Sequence, residues 1–369
     1  MSILVEGWSL DLDSTGTKSR NDYSLGMSIL ANNSGSVRAD TKLGNQPDWR
    51  QHMKSAIRDV ETLRERLSLP KNRQLGAEAT ATFPVFVPEP FLSRMQPGDL
   101  NDPLLRQVLP VSEEDESPQH FSKDPLNEAV STLQPGLLQK YSGRVLLITT
   151  GACAVHCRYC FRRHFPYEHS PVSIKQWQSA IDQIASDPSI EEVILSGGDP
   201  LTIVDARLAE LIKALNSIPH LKRLRIHTRL PIMIPQRVTN ELVEMLVNGR
   251  LQPIVVIHSN HANELDESVA LSIKRLTQAG VMLLNQTVLL RGINDQANAL
   301  IQLSKRLLDL RVSPYYLHQL DPVIGASHFE VSKNTGIKLI EQMRGALPGY
   351  AVPRYVKELA GEPNKTVWA

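Results

Sequence analysis

Cys153, Cys157 and Cys160 are the only cysteines in 369 residues, and they stand at C-x3-C-x2-C spacing. Three thiolates can ligate three irons of a four-iron cluster and leave the fourth iron open to a further ligand, whereas a structural zinc site closes four protein ligands around one ion. A zinc reading must therefore recruit His156 or His164, and neither stands at a zinc spacing from a second cysteine pair. Inert buried thiols seldom gather on one stretch between arginines, as these do. Cysteines confined to one short segment do not make a disulfide framework, and they suit a metal or redox site in a reducing compartment.

The elements that must position this segment are legible on either side of it. From Arg144 onward, short apolar runs alternate with amphipathic stretches: 144–149, 192–196, 223–228, 253–259, 281–289 and 312–318 read as strands. Helical periods such as Trp177, Ile181, Ile184 and Leu208, Leu211, Leu215 fall between them. Six β-then-α units predict an α/β fold with a parallel sheet, a partial (β/α)6 TIM-like barrel rather than an open sheet. In such barrels chemistry sits at the carboxyl ends of the strands. The cysteines directly follow the first strand, and Ser196-Gly197-Gly198-Asp-Pro200 ends the second. Glycines there allow close backbone approach.

Upstream, residues 1–45 are rich in Ser, Asn, Gly and Asp without a sustained apolar period, which predicts a disordered tail. Within 46–140, Trp49, Met53, Ile57, Val60, Leu63 and Leu67 predict one amphipathic helix stopped by Pro70. The proline-rich remainder, with acids from Glu113 to Glu116, predicts an irregular wrapping segment without a sheet. The barrel is expected over 141–350 and a C-terminal segment over 351–369. Lysine plus arginine number 40 against 39 acids, so no global field draws nucleic acid or an anionic membrane. With no apolar run long enough to span a bilayer and no signal-peptide layout at the start, the expected location is cytoplasmic.

The cysteine motif, with Tyr159 before its last thiol, resembles the radical S-adenosylmethionine superfamily. That resemblance implies that the open iron chelates S-adenosylmethionine, that one-electron reduction releases a hydrogen-abstracting radical, and that Ser196, Gly197 and Gly198 meet the cofactor. Further segments resemble the lysine 2,3-aminomutase family from about Trp49 onward. They are 157–165 (CRYCFRRHF), 258–264 (HSNHANE), 284–295 (LNQTVLLRGIND), 314–321 (PYYLHQLD) and 361–365 (GEPNK).

This second resemblance implies pyridoxal 5'-phosphate held as a Schiff base on Lys365, with Tyr141 and Arg144 near its phosphate and His258 and Gln286 lining the cofactor space. It also implies Arg162 as the partner of the substrate carboxylate, with Asp321 and Glu358 as the acids that meet a distal ammonium. Glu358 stands where aspartate is typical, so the charge is kept with one methylene more of reach. The implied reaction is a 2,3-amino shift on L-lysine giving β-lysine. The rivals are a mutase for arginine or glutamate and a non-catalytic zinc protein.

The chain stops at Ala369 with no further cysteine. It thus resembles the bacterial branch that supplies β-lysine for modification of elongation factor P, as does Arg162-Arg-His-Phe-Pro-Tyr167. The implied partners are L-lysine, an electron donor such as flavodoxin or ferredoxin, and elongation factor P with its lysyl ligase. Self-association is left open.

Overall fold

The structure is a computed structural model that describes residues 48–70, 76–167, 171 and 173–369. The expected tail over 1–45 lies outside the described residues. The apolar spacing that begins at Trp49 forms two short helices, α1 (Trp49–Lys54) and α2 (Val60–Arg66), rather than one. The break has a physical cause. Ile57 leaves the helical path to exchange both backbone hydrogen bonds with Val87, at 2.8 and 2.9 Å. Asp59 then caps α2, accepting from the Thr62 amide at 2.7 Å. Helices α3 (Ala77–Thr82) and α4 (Glu89–Leu92) complete the arm.

The wrapping segment was expected to lack a sheet, and its end departs from that expectation. Strands β1 (Thr132–Gln134) and β2 (Leu137–Tyr141) form a hairpin turned at Gly136, whose φ of +80° suits glycine. Leu137 and Leu138 are buried, and β2 lies antiparallel to β3 (Arg144–Thr150) with Leu137 opposite Leu147. The prolines that mark the segment as irregular stand outside these two short strands.

From β3 the chain alternates as expected: α5 (Ile174–Ser186), β4 (Glu192–Gly197), α6 (Asp205–Asn216), β5 (Arg223–Thr228), α7 (Leu230–Met233), α8 (Asn240–Val247) and β6 (Gln252–His258). It continues through α9 (Glu267–Gln278), β7 (Met282–Val288), α10 (Ala297–Asp309), β8 (Ser313–His318) and α11 (Lys333–Ala346). Strands β3 to β8 are parallel and ordered as in the sequence, which is the partial six-stranded barrel. The C-terminal segment adds a seventh parallel strand, β9 (Arg354–Lys357), and β10 (Thr366–Val367) turns back antiparallel on it.

Burial explains the architecture. Trp177, Ile181 and Ile184 of α5 and Leu208, Leu211 and Leu215 of α6 pack as helical stripes onto Val193, Leu195, Leu224 and Ile226. On β5, Leu224, Ile226 and Thr228 are buried beneath the helices, while the alternate residues Arg223, Arg225 and His227 take the opposite face. A helix-covered barrel needs only its outer face apolar, so the inner face is free to carry polar groups. Among the described residues, no helix is long and apolar enough to cross a membrane.

Candidate active site

The cysteine loop leaves the carboxyl end of β3 and is zipped to the end of β4. The Gly198 amide donates to Thr150 O at 2.7 Å, and the Asp199 amide donates to Ala152 O at 2.7 Å. A Cβ at Gly198 would lie 2.3 Å from Ala152 O, and one at Gly197, where φ is +118°, would lie 2.6 Å from Thr150 O. Both glycines are therefore required by contact between backbones. The Asp199 carboxylate ties the end of β5 to the same corner, accepting from Thr228 Oγ1 and the Arg229 amide at 2.7 Å each.

Charge pins the loop from behind. Arg158 gives Nε to Glu114 at 2.8 Å and Nη2 at 2.7 Å, while its Nη1 donates to Phe83 O at 2.5 Å. Arg163 meets the same Glu114 at 2.9 Å and also donates to Gly325 O at 2.9 Å. Glu114 belongs to the acidic stretch of the wrapping segment, and it is buried here against two loop arginines.

All three thiols are partly buried. Loss of solvent pushes Cys153 well above the usual thiol range, with the neighbouring thiols adding to the effect. The same causes raise Cys160 to about 11. Arg229 Nη1 donates to Cys157 Sγ at 2.8 Å, and the same guanidinium pairs with buried Glu264 at 2.9 Å. Three thiols on one loop with a cation against one sulfur suit a cluster that needs thiolates. The zinc reading fits poorly. His156 Nδ1 lies 2.8 Å from Pro84 O and its ring stacks on Phe83, while His164 Nε2 lies 3.2 Å from Ile324 O. Among the described residues, no three His, Cys, Asp or Glu side chains converge on a single ion.

Arg162 turns the other way, into the barrel. It is buried, and its Nε and Nη2 clasp Glu128 at 2.8 and 2.7 Å, while Nη1 reaches Ser196 Oγ at 3.2 Å. Glu128 also meets Lys140 at 3.1 Å, Lys140 meets Glu358 at 3.0 Å, and Glu358 pairs with Lys365. A line of alternating charge thus runs from the cysteine loop to the C-terminal lysine. Burial alone would push Glu358 up, but Lys365 and then Lys140 overcome it and bring its carboxyl down to about 2. Asp321, just past β8, feels the same burial and the Glu358 charge with no hydrogen-bond donor among the described residues, and it is pushed up to about 7.

Tyr141 and Arg144 stand at the turn between β2 and β3. Arg144 Cζ lies 4.7 Å from the centre of the Tyr141 ring, and Lys365 Nζ lies 5.9 Å from it. Gln286 sits on β7 between His258 of β6 and Tyr316 of β8 in the strand register. His258 tilts against Tyr159 with ring centres 5.7 Å apart.

The structure therefore brings Lys365, Glu358, Asp321, Tyr141 and Arg144 together and joins them to Arg162 by residues the sequence reading missed. Glu128 and Lys140 are the missed links. Arg225, His227 and His318 are also missed, although polar residues alternating along β5 and β8 are a readable signal of an inner face. The Nε2 atoms of His227, His258 and His318 and the Nε of Arg225 are buried without hydrogen-bond partners among the described residues. Burial, with nearby cations, holds all three imidazoles neutral, His318 at about 3. Unpaired buried polar atoms around a lysine suit a polar cofactor such as pyridoxal phosphate.

A strand-end loop of three thiols on a partial barrel defines a radical S-adenosylmethionine enzyme, and the sequence model of the radical SAM superfamily matches residues 147–303. L-lysine 2,3-aminomutase of Haemophilus influenzae is 46% identical over 325 residues, which span 88% of this chain and 96% of that protein. The Escherichia coli protein of that name is 45% identical, over 87% of this chain and 94% of its own length. The one from Clostridium subterminale is 37% identical, over 86% and 77%. The chain belongs to the lysine 2,3-aminomutase family, whose cofactors are a 4Fe-4S cluster, S-adenosylmethionine and pyridoxal phosphate.

Proposed function

We propose that this chain converts L-lysine to β-lysine by moving the amino group from carbon 2 to carbon 3. The observation that carries the reading is the partly buried charge line from Arg162 to Lys365, because it offers a cation beside the cysteine loop and, near its other end, the acid Glu358 with Asp321 beside it. When bound, the cluster with S-adenosylmethionine supplies hydrogen-atom abstraction, and pyridoxal phosphate supplies a carrier for the migrating nitrogen. Cys153, Cys157 and Cys160 hold the cluster, Ser196, Gly197 and Gly198 form the wall beside S-adenosylmethionine, and Lys365 holds pyridoxal phosphate. Tyr141, Arg144, His258 and Gln286 line the cofactor space.

Arg162 takes the substrate carboxylate, and Asp321 with Glu358 receives the distal ammonium. Glu358 already serves Lys365 and Lys140. A substrate ammonium would therefore share Glu358 with these two lysines, while Asp321 has no such partner among the described residues. Two acids at that end disfavour a glutamate substrate, since like charges in a dry site are costly. Holding both ends of the substrate would fix its orientation in the site, and the barrel wall would exclude water.

The reading extends to a flavodoxin- or ferredoxin-type electron donor, to a cytoplasmic setting, and to delivery of β-lysine for modification of elongation factor P by its lysyl ligase. Similarity to the shorter Haemophilus and Escherichia proteins, matched almost end to end, supports that branch. The test is anaerobic incubation with free L-lysine, S-adenosylmethionine and a strong reductant, with arginine and glutamate as parallel substrates. β-Lysine as the dominant product is expected. Turnover of arginine or glutamate in its place overturns the substrate assignment. Lys365→Ala should lose pyridoxal phosphate absorbance and keep the cluster spectrum, and retained absorbance overturns the lysine's role.

A further inference from the structure

We propose that Glu128 is a positioning residue of the substrate site, clamping Arg162 by one edge so that its other edge faces the substrate carboxylate, and steadying the acids at the far end through Lys140. The inference rests on the reading of Arg162 as the carboxylate partner.

A guanidinium carries five N–H donors on a planar fork, so it can hold two carboxylates along two different edges. Glu128 occupies the Nε and Nη2 edge of Arg162 at 2.8 and 2.7 Å. What remains is the edge formed by Nη1 and the second Nη2 hydrogen, met only by Ser196 Oγ at 3.2 Å among the described residues. That distance is long for a charged donor, so the edge has capacity left. Ser196 belongs to the segment that ends β4 beside the cysteine loop. The open edge thus lies where the two cofactor regions meet.

Charge balance points the same way. Arg162, Glu128 and Lys140 together carry one net positive charge, which a substrate carboxylate neutralises. Without Glu128, buried Arg162 and partly buried Lys140 would face one carboxylate and repel each other. Burial alone would push Glu128 up, but Arg162 first and Lys140 second outweigh it, so the group stays charged. The backbone is arranged to present it. Asn127 adopts the left-handed conformation at φ +48°, which asparagine tolerates better than most residues, and the Glu128 amide donates to Asp124 Oδ1 at 3.1 Å. The turn from Asp124 to Glu128 thereby delivers one carboxylate from outside the barrel strands into their interior.

The measurement is equilibrium binding of L-lysine and of 1,5-diaminopentane, which lacks the carboxylate, to protein loaded with pyridoxal phosphate, followed by the cofactor's absorbance. Wild type should prefer lysine. Glu128→Gln should reduce that preference by about tenfold or more, with iron and pyridoxal phosphate stoichiometry unchanged. A role confined to folding would weaken both ligands equally, so an unchanged ratio overturns the inference. Should Glu128→Gln not fold, the charge-balanced double variant E128Q/K140M carries the same test with the same overturning result. A wild type that binds both ligands equally removes the inference together with Arg162's role. With L-arginine and its decarboxylated analogue run as a second pair of ligands, a wild type that prefers arginine to lysine, and a variant that loses the preference for arginine over that analogue, overturn the substrate assignment and leave Glu128's role standing.

Discussion

Two glutamates each bridge a pair of cations around the same cysteine loop, and the difference between them separates scaffold from site. Glu114 joins Arg158 and Arg163, whose further contacts run to the backbone oxygens of Phe83 and Gly325, so this bridge closes on the scaffold even though Arg163 Nε is buried without a partner among the described residues. Glu128 joins Arg162 and Lys140, but Arg162 keeps an edge with one long contact and Lys140 passes charge on to Glu358. The chemistry of the two bridges is the same. What differs is where the contacts lead: from Glu114 to backbone carbonyls of the scaffold, and from Glu128 to Ser196 and, through Lys140, to Glu358 and Lys365.

The largest effect should come from breaking the closed bridge. Glu114→Gln leaves two buried guanidinium groups without their counter-charge, and removing one partner of such a pair typically costs ~3–5 kcal/mol. The thermal midpoint should fall, and iron content after anaerobic reconstitution should fall with it, because Arg158 and Arg163 flank Cys160. Normal iron content at a normal midpoint would make the closed bridge dispensable and dissolve the distinction.

Next in size is Gly198→Ala. Its Cβ would sit 2.3 Å from Ala152 O, so the loop must move away from β4 at a cost of about 1–3 kcal/mol. Iron and S-adenosylmethionine binding should drop while pyridoxal phosphate absorbance at Lys365 is retained. Equal loss of both cofactors would mean that the two regions are not separable in this way.

Arg162→Lys set beside Arg158→Lys sharpens the comparison. A lysine cannot serve Glu128 and a substrate carboxylate along two edges, so R162K should raise the KM for L-lysine by about 10- to 100-fold with cofactor loading retained. R158K should change the thermal midpoint and leave KM within about twofold. A KM that rises equally in both variants would place Arg158 in the site as well.

The scaffold and the cofactor loop were legible in the sequence because both are written locally. C-x3-C-x2-C, the glycine pair at 197 and 198, and the alternation of apolar runs each occupy a few consecutive residues with a fixed period. Glu128 and Glu114 were not legible, since they reach Arg162 and Arg158 across 34 and 44 residues through contacts that no period encodes. The hairpin 132–141 was hidden by the prolines before it and by Pro135 in its turn. The seventh strand β9 was hidden by its shortness, only four residues from Arg354 to Lys357. Resemblance supplied Lys365, Asp321 and Glu358, but not the salt bridge between Glu358 and Lys365.

The smallest effect concerns the acid that the charge line leaves unpaired. Burial first and the Glu358 charge second raise Asp321 from its ordinary value near 3.8 to about 7, whereas Glu358, paired with two lysines, lies at about 2. Only the ionised form attracts a distal ammonium, so L-lysine affinity should rise with pH through about 7 and weaken as Asp321 takes up a proton below it. The free-amine fraction of the substrate also rises over this range. The informative quantity is therefore the ratio of wild-type to Asp321→Asn affinity between pH 6 and 8. That ratio should climb by several-fold with an inflection near 7. Glu358 is already ionised throughout this range and should add no inflection of its own. A ratio that stays flat would mean that Asp321 does not meet the ammonium, leaving Glu358 as the sole acid for it.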